Sequence, residues 1–319
     1  MSSQVGVSNT EASNSYSCDL AWGFAFHPEM NYQRRDITGT ARERGIIGHS
    51  ALQRHYEGMR DGEDFDTSAH AALQVIQDLR IKEIMAGDFA DFERLEMLNW
   101  LYTVLTKYFE HYEKDSEFWE ILEVEGFHAQ EFEDENDFYL PSRLDVTVYQ
   151  KAGQFKGETS PLDHKFTADF WYDWKLNLNS QFPLYILALR AARFAGKPKP
   201  VVKRVIVNQI RTRLKNVDDV HPNQLFKRSF KPYTSERLAN VFRNHLKTAV
   251  KLAYYKRLPW DEFVAEVPAA LGSQACQYCD FKDLCDITFE GKDPSDVIAA
   301  TLKKSDYGYP PLEEIRRER

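Results

Sequence analysis

Three residues near the middle of the chain, Asp145, Asp163 and Lys165, have the types and spacing for phosphodiester chemistry. Hydrolysing a phosphodiester calls for a divalent cation to neutralise developing charge, carboxylates to hold it, and a group that orients the attacking water. Asp163 and Lys165 are two residues apart, so in a strand both side chains leave the same face. One can then ligate Mg2+ while the other orients water or offsets negative charge. His49 can complete such a site from upstream, and a neutral imidazole suits Mn2+ better than the harder Mg2+. Glu125 is a weaker fourth candidate. Taken alone, an Asp-x-Lys triplet is a common accident and each acid is more often a surface charge, so only the combination carries weight. Gln181 and Tyr185 are four apart, which places an amide and a phenol on one helical face. Beside Phe182, Tyr185 reads equally well as a core tyrosine.

The four cysteines form a second constellation: Cys276-x2-Cys279-x5-Cys285, with Cys18 far upstream. They are too few for a disulfide-stapled scaffold, and three within ten residues suggest metal. A Cys-x-x-Cys knuckle is generically zinc more often than iron, but zinc knuckles usually come in pairs and the only remaining cysteine is Cys18. Four thiolates also suit an iron-sulfur cluster. Buried free thiols are the bland alternative, chiefly for Cys18.

The elements that must position these residues can be read from periodicity. Apolar residues recur at helical spacing over 41–60 and 70–113, without internal proline. Phe118 to Phe127 alternates as a strand and leads into an acidic loop at Glu131–Asp137. Arg143 to Tyr149 alternates again, Lys151 to Gly157 carries two glycines for a turn, and a third strand ends near Lys165. Phe170 to Ala195 reads as helical, with Pro183 marking a restart near Ser180 and Gly196-Lys197-Pro198 a stop. Val201 to Ile210 is a fourth strand and Ser235 to Arg257 a basic helix; the tail beyond Leu258 reads as irregular. The expected fold is α/β, a mixed central sheet flanked by helices. An N-terminal helical region (1–117) carries His49 and Cys18, a core (118–257) carries the acids and the basic elements, and a C-terminal cysteine clasp and tail (258–319) follows.

Composition bounds the function. The chain has 319 residues, 43% of them apolar and 13% aromatic, enough for a full globular core. Neither an 18-residue apolar run nor a secretion signal is present, which points to a soluble, cytoplasmic protein with no membrane partner. A phosphate-binding loop of the Gly-x4-Gly-Lys-Ser/Thr type is missing, which argues against ATP-driven translocation by this chain. The net charge of −8 argues against a polyanionic partner, yet residues 190–257 hold 18 Lys or Arg against three Asp or Glu. Such concentration suits a phosphate-tracking groove, with Arg190, Arg193, Lys197, Lys199, Lys203 and Arg204 placed to grip a strand leading to the acids.

The set Gly45-Ile46-Ile47-Gly48-His49, Leu144-Asp145-Val146, Leu162-Asp163-His164-Lys165 and Gln181-Phe182-Pro183-Leu184-Tyr185 resembles the RecB-like branch of the PD-(D/E)XK nuclease superfamily. The chain departs from that pattern at Ser142, where glycine is usual, and at Phe166, where threonine is common. The resemblance implies that His49, Asp145, Asp163 and the backbone carbonyl of His164 ligate Mg2+ or Mn2+. It implies also that Lys165 serves the water and that Gln181 and Tyr185 contact DNA. The cysteine spacing looks like the clasp of AddB-type and CRISPR-associated exonucleases, which implies a [4Fe-4S] cluster on Cys18, Cys276, Cys279 and Cys285. The expected activity is a metal-dependent DNA nuclease, an exonuclease or end-processing enzyme acting on single strands in recombination, repair or phage and CRISPR-type processing. The alternative is a catalytically silent DNA-binding subunit. A helicase or recombination partner would be needed for processive duplex degradation, and self-association stays open.

Overall fold

Polar residues placed just before apolar helical runs set the main helices of this protein. Thr40, Asp64 and Asp91 each accept a hydrogen bond from the backbone N–H three residues on, which satisfies one otherwise orphaned donor at the helix start. The structure is a computed structural model and describes residues 5–35, 40–87, 91–132, 138–197, 199–214, 216–267, 269, 276–277 and 279–305. Residues 133–137 of the expected acidic loop, and Pro198 of the expected helix stop, lie outside the described residues.

In chain order the elements are β1 (Val5–Gly6), α1 (Asn9–Ser15), α2 (Asp19–Phe26), β2 (Tyr32–Arg34), α3 (Ala41–Arg60), α4 (Phe65–Met85), α5 (Phe92–His111) and α6 (Asp115–Phe118). Next come β3 (Trp119–Phe132), β4 (Phe138–Gln150), β5 (Thr159–Thr167), α7 (Asp173–Leu178), α8 (Gln181–Ala191), β6 (Arg204–Arg211), α9 (Pro222–Leu225) and β7 (Phe226–Pro232). Beyond these are α10 (Ser235–Tyr255), α11 (Trp260–Glu266), α12 (Lys282–Phe289), α13 (Ser295–Thr301) and β8 (Leu302–Lys304). Two compact units emerge: Ile37–His128 with Arg143–Leu238, and Met1–Asp36 with Ala129–Ser142 and Ala239–Arg319. They interleave along the chain, and neither boundary set coincides with the linear division at 117 and 257.

The first of these units holds a mixed sheet in the order β4-β5-β6-β7, with β3 also paired to β4. β4 and β5 are antiparallel, β5 and β6 parallel, β6 and β7 antiparallel. Helices cover it, as expected for α/β. One apolar cluster joins Leu162, Val146 and Ile206 of the sheet to Tyr56, Leu98, Leu101 and Tyr108 of α3 and α5. A second joins Leu144, Val205 and Val207 to Phe182, Ile186 and Leu189 of α8. The anticipated turn between β4 and β5 has Gly153 and Gly157 at φ +80° and +87°, a region that glycine enters without strain. The helical run expected over 70–113 is two helices. α4 stops before Gly87 at φ +60°, and Asp91 caps a fresh start, so glycine and a cap break the run that no proline interrupts. β7 went unrecognised because Lys227, Arg228 and Lys231 interrupt its apolar residues.

His55 of α3 is buried in this unit against Phe65 and Phe109, with its Nδ1 2.9 Å from the Ser68 hydroxyl. Burial pushes its pKa down to about 3 from the ordinary 6.5. The unfolded chain therefore takes up a proton that the folded chain refuses, so the stability His55 contributes is present above pH 6.5 and lost as pH falls toward 3. The expected result is that the unfolding equilibrium shifts by about tenfold per pH unit below 6 on account of this residue. Urea melts at successive pH values check it, and His55→Gln should flatten the slope.

In the second unit β1 pairs in parallel with the start of β4, Val5 opposite Phe138, and β2 pairs antiparallel with β8. Trp22, Phe24, Leu252, Phe263 and Leu284 from four helices form its core. The described part of the tail beyond Leu258 is thus not irregular: α11, α12 and α13 are short helices whose few apolar residues, such as Phe263 and Leu284, reach this core. Short amphipathic segments of seven or eight residues leave too little periodicity to recognise. No described helix is long and apolar enough to cross a membrane.

Candidate active site

The antiparallel register of β4 and β5 pairs Val146 with Leu162, so the next residues along, Asp145 and Asp163, face each other across the two strands. The backbone N–H of His164 donates to Asp145 Oδ2 at 2.8 Å. His49 comes from α3, its Nδ1 3.4 Å from the same oxygen. Lys165 leaves β5 on the same face as Asp163, and its ammonium donates to Asp163 Oδ1 at 2.9 Å and to Gln181 Oε1 at 3.1 Å. Gln181 is the first residue of α8, and its amide N–H donates to the Tyr185 hydroxyl one turn on. Four elements thus bring together His49, Asp145, Asp163, Lys165, Gln181 and Tyr185.

The electrostatics are those of an anionic hole with one cation in it. Asp163 is 1% exposed and its Oδ2 has no hydrogen-bond partner among the described residues. Burial is the main reason its carboxyl is pushed up to about 6, with Asp145 adding to the shift and Lys165 opposing it. Burial works against the Lys165 ammonium, but Asp163 and Asp145 outweigh it and hold its pKa above the ordinary lysine value. Glu125 belongs here too. It sits in β3 at φ +52°, a left-handed conformation rare for a non-glycine residue, and ion-pairs with Arg143. Burial and the nearby Asp145 push its carboxyl up to about 7 against the pull of Arg143. Three neighbouring carboxylates, one of them with an open buried oxygen, are the donor set a hard divalent cation suits. Among the described residues no group of three or more His, Cys, Asp or Glu is already arranged to hold a metal ion. Part of the reason is visible in the hydrogen bonds: Lys165 takes one oxygen of Asp163, and the His164 N–H takes one of Asp145.

The His164 ring lies on the opposite face of β5, fully buried against Tyr56 at 5.4 Å and Tyr108 at 6.2 Å, so only its backbone faces the acids. Burial holds that imidazole neutral, far below its usual pKa. Tyr185 is 6% exposed and packs in the α8 cluster, and Gln181 spends both ends of its amide, so the pair underpins Lys165. Gln209 escaped sequence reasoning. It lies beside Lys165 in the β5–β6 register, accepts the Trp171 N–H at 2.5 Å, and keeps a buried Nε2 without a partner among the described residues. Only the register reveals it.

Gly48 explains both the glycine before His49 and the departure at 166. A Cβ at 48 would lie 2.2 Å from the Phe166 ring, which itself sits 5.7 Å from the His49 ring. Gly48→Ala is expected to destabilise the protein by about 1–3 kcal/mol through overpacking and to displace the His49 ring from Asp145. Denaturant melts check it, and an unchanged midpoint discards the packing account.

Four of the six basic residues expected to lead a strand to the acids have other partners. Arg190 donates to the Val202 carbonyl at 3.0 Å, Lys197 to Glu120 at 2.6 Å, Arg204 to Glu158 at 2.7 Å, and Lys203 lies 3.5 Å from Glu158. Arg190 is nine residues along α8 from Gln181, about 13 Å at the helical rise, so it sits at the end of the helix away from Gln181. Within this run Lys197 pairs with Glu120, Lys203 and Arg204 share Glu158, and Arg190 bonds a backbone carbonyl.

The four cysteines all lie in the other unit and form no disulfide. Cys18 is the residue before α2, Cys285 lies in α12, and Cys279 donates its N–H to the Cys276 carbonyl at 3.3 Å. Burial raises the thiol of Cys285 to about 11, and Cys18, Cys279 and Cys276 add to the shift. Burial, then Cys18 and Cys276, likewise raise Cys279. Cys18 and Cys276 are therefore near enough to act on the thiols of both Cys279 and Cys285, although among the described residues the four fall short of a preformed metal group.

Compared with known proteins, the chain matches the family model described as the PD-(D/E)XK nuclease superfamily over residues 7–286. No curated protein matches it.

Proposed function

The chain belongs to the PD-(D/E)XK nuclease superfamily, and from that premise we propose that it is a Mg2+- or Mn2+-dependent nuclease of the RecB-like branch that trims single-stranded DNA from ends. The observation that carries this reading is the Asp163 carboxylate, fully buried yet with one oxygen unpartnered among the described residues, facing Asp145 and held by Lys165. Asp163, Asp145 and His49, with the His164 carbonyl, are the groups assigned to the metal, and Glu125 is the adjacent acid. A bound divalent cation would neutralise charge on the phosphoryl group and acidify a water.

The protein's own residues do the rest. Lys165 stays protonated and fixed in direction by Asp163 and Gln181, so it offers a directed N–H to the attacking water or to a non-bridging phosphoryl oxygen. Tyr185 holds Gln181, and through it the Lys165 ammonium, which makes this pair a positioning device rather than a direct DNA contact. The His164 N–H fixes Asp145 against rotation. An end-labelled single strand incubated with Mn2+ should be degraded, the chelated protein should be inert, and the product ladder reads polarity. A protein inert with either metal sinks the proposal.

The cysteines are assigned a [4Fe-4S] cluster with a structural role, joining Cys18 to a C-terminal segment more than 250 residues away. The support is four partly buried thiols in one unit, of which Cys279 and Cys285 are held protonated by burial and by the neighbouring cysteines, a cost that cationic iron would relieve. Anaerobic purification should give a brown protein with iron and no zinc; a colourless, zinc-loaded protein ends that assignment. A partner that unwinds duplex, and a cytoplasmic setting, complete the proposed role.

A further inference from the structure

The segment that joins the strand of Asp163 and Lys165 to the helix of Gln181 turns three of its large apolar side chains outward. Tyr172 is 74% exposed, Trp174 61% and Leu178 64%. Trp174 and Leu178 are four apart on one face of α7, and Tyr172 stands at the position just before that helix. Single exposed apolar residues are ordinary, but grouped aromatic faces mark a contact surface.

The segment is fastened, so the exposure is built in. Leu176 is fully buried and its carbonyl accepts from the Tyr233 hydroxyl at 2.8 Å. The Trp171 N–H donates to Gln209 at 2.5 Å, Arg237 donates to the Asn177 carbonyl at 2.5 Å, and the Lys175 ammonium lies 4.4 Å over the Trp171 ring. The two acids of the segment are neutralised. Asp169 pairs with Arg211 at 2.7 Å and Arg213 at 2.8 Å, and Asp173 faces Lys231 at 3.7 Å. Lys175 and Arg237 then add uncompensated positive charge to the surroundings of the rings.

Flat aromatic faces in a cationic setting, beginning seven residues after Lys165 and ending before Gln181, fit one occupant better than others. We propose that Tyr172 and Trp174 are a stacking platform for the bases of a single DNA strand whose phosphate lies at Asp163 and Lys165. The inference rests on the nuclease reading above. Bases inside a duplex already stack on one another, so only an unpaired strand or frayed end presents a free π-face, while the cations meet its phosphates. The platform would thereby select single strands over duplex by contacts outside the chemical centre.

The test uses the full-length holoprotein in chelator, where the strand is bound but not cut, and measures fluorescence anisotropy of a labelled oligothymidylate and of a blunt duplex. Tyr172→Ala/Trp174→Ala should bind the single strand at least about tenfold more weakly and the duplex within about twofold of wild type. Tyr172→Phe/Trp174→Phe, which keeps both rings, should hold most of the affinity. With Mn2+ added, thymidine 5′-(4-nitrophenyl phosphate), too short to reach the platform, should be hydrolysed at the wild-type rate. Strand affinity unchanged in the alanine variant overturns the platform, including the case in which the patch proves to dock protein. Equal losses for strand and duplex, or a slower small ester, overturn it as well. If wild type cleaves the strand, Asp163→Asn does not, and the alanine variant binds normally, the platform alone fails; a wild type inert toward DNA removes the nuclease reading itself.

Discussion

Asp163→Asn should lower single-strand cleavage by at least about a thousandfold while raising the melting temperature of the metal-free protein at neutral pH. The rate effect follows from the site. The substitution removes an anionic oxygen from the group assigned to the metal, and several kcal/mol of charge stabilisation corresponds to three or more decades in rate. The stability effect follows from burial. Asp163 is 1% exposed with one oxygen unpartnered among the described residues, and its carboxyl titrates near 6 rather than 3.8. Between those values the folded chain keeps a proton that the unfolded chain has lost, so stability falls as pH rises from about 4 to about 6 and stays lower above. The neutral amide removes that deficit, so the variant should gain stability above pH 6 and show no gain below 4. Added Mn2+ should raise the melting temperature of the wild type and leave that of the variant unmoved. Calorimetric scans with and without Mn2+, beside the cleavage assay, check all three outcomes. A variant that melts lower at pH 7.5 would mean that Lys165, left with Asp145 alone, dominates the balance.

What was legible in the sequence was whatever depends on local period or on residues close along the chain. The two-residue spacing of Asp163 and Lys165 fixes their common face, the glycines at 153 and 157 fix the turn that returns β5 along β4, and Ser180 before Gln181 marks the start of α8. From these alone Asp145 comes opposite Asp163. Contributions fixed by register or by pairing across the sheet were hidden. Gln209 comes to lie beside Lys165 only because β6 runs parallel to β5, and Glu125, legible only as a weaker candidate, gains its place from a charge interaction with Asp145 that the sequence does not display. The basic run misled for the same reason: its members are neighbours in sequence, but Lys197, Arg204 and Arg228 each found a different acid. Tyr172 and Trp174 passed as part of an aromatic helix because composition cannot tell a buried ring from an exposed one.

Arg228 is where the largest loss of stability is expected. Its guanidinium forms two hydrogen bonds to Asp115, at 2.6 and 2.8 Å, and a third to Asn208 Oδ1 at 2.6 Å, between the rings of Tyr112 and Trp119 at 3.7 and 4.4 Å. Both charged side chains are only 11% exposed. Burial opposes the guanidinium's charge, yet Asp115 and its hydrogen bonds more than restore it; Asp115 itself, despite Arg228, is held above the usual carboxylate range by burial. A pair this deep need not stabilise the fold more than apolar residues of equal volume would, but breaking it strands a charge. Asp115→Ala is therefore expected to cost about 3–5 kcal/mol, and Arg228→Lys a comparable amount, because an ammonium cannot reproduce the fork or the stacking. Arg228→Met combined with Asp115→Leu should recover most of the loss, and urea melts of wild type, Arg228→Met, Asp115→Leu and the double variant give the coupling directly. The same network reaches the catalytic strand. Asn208 donates to the Tyr108 hydroxyl at 2.7 Å and lies beside His164 in the register, and the His164 N–H holds Asp145. The double variant should thus fold well and still cleave more slowly than wild type, since Asn208 loses the guanidinium that fixes it; full activity in that variant would confine the network to stability.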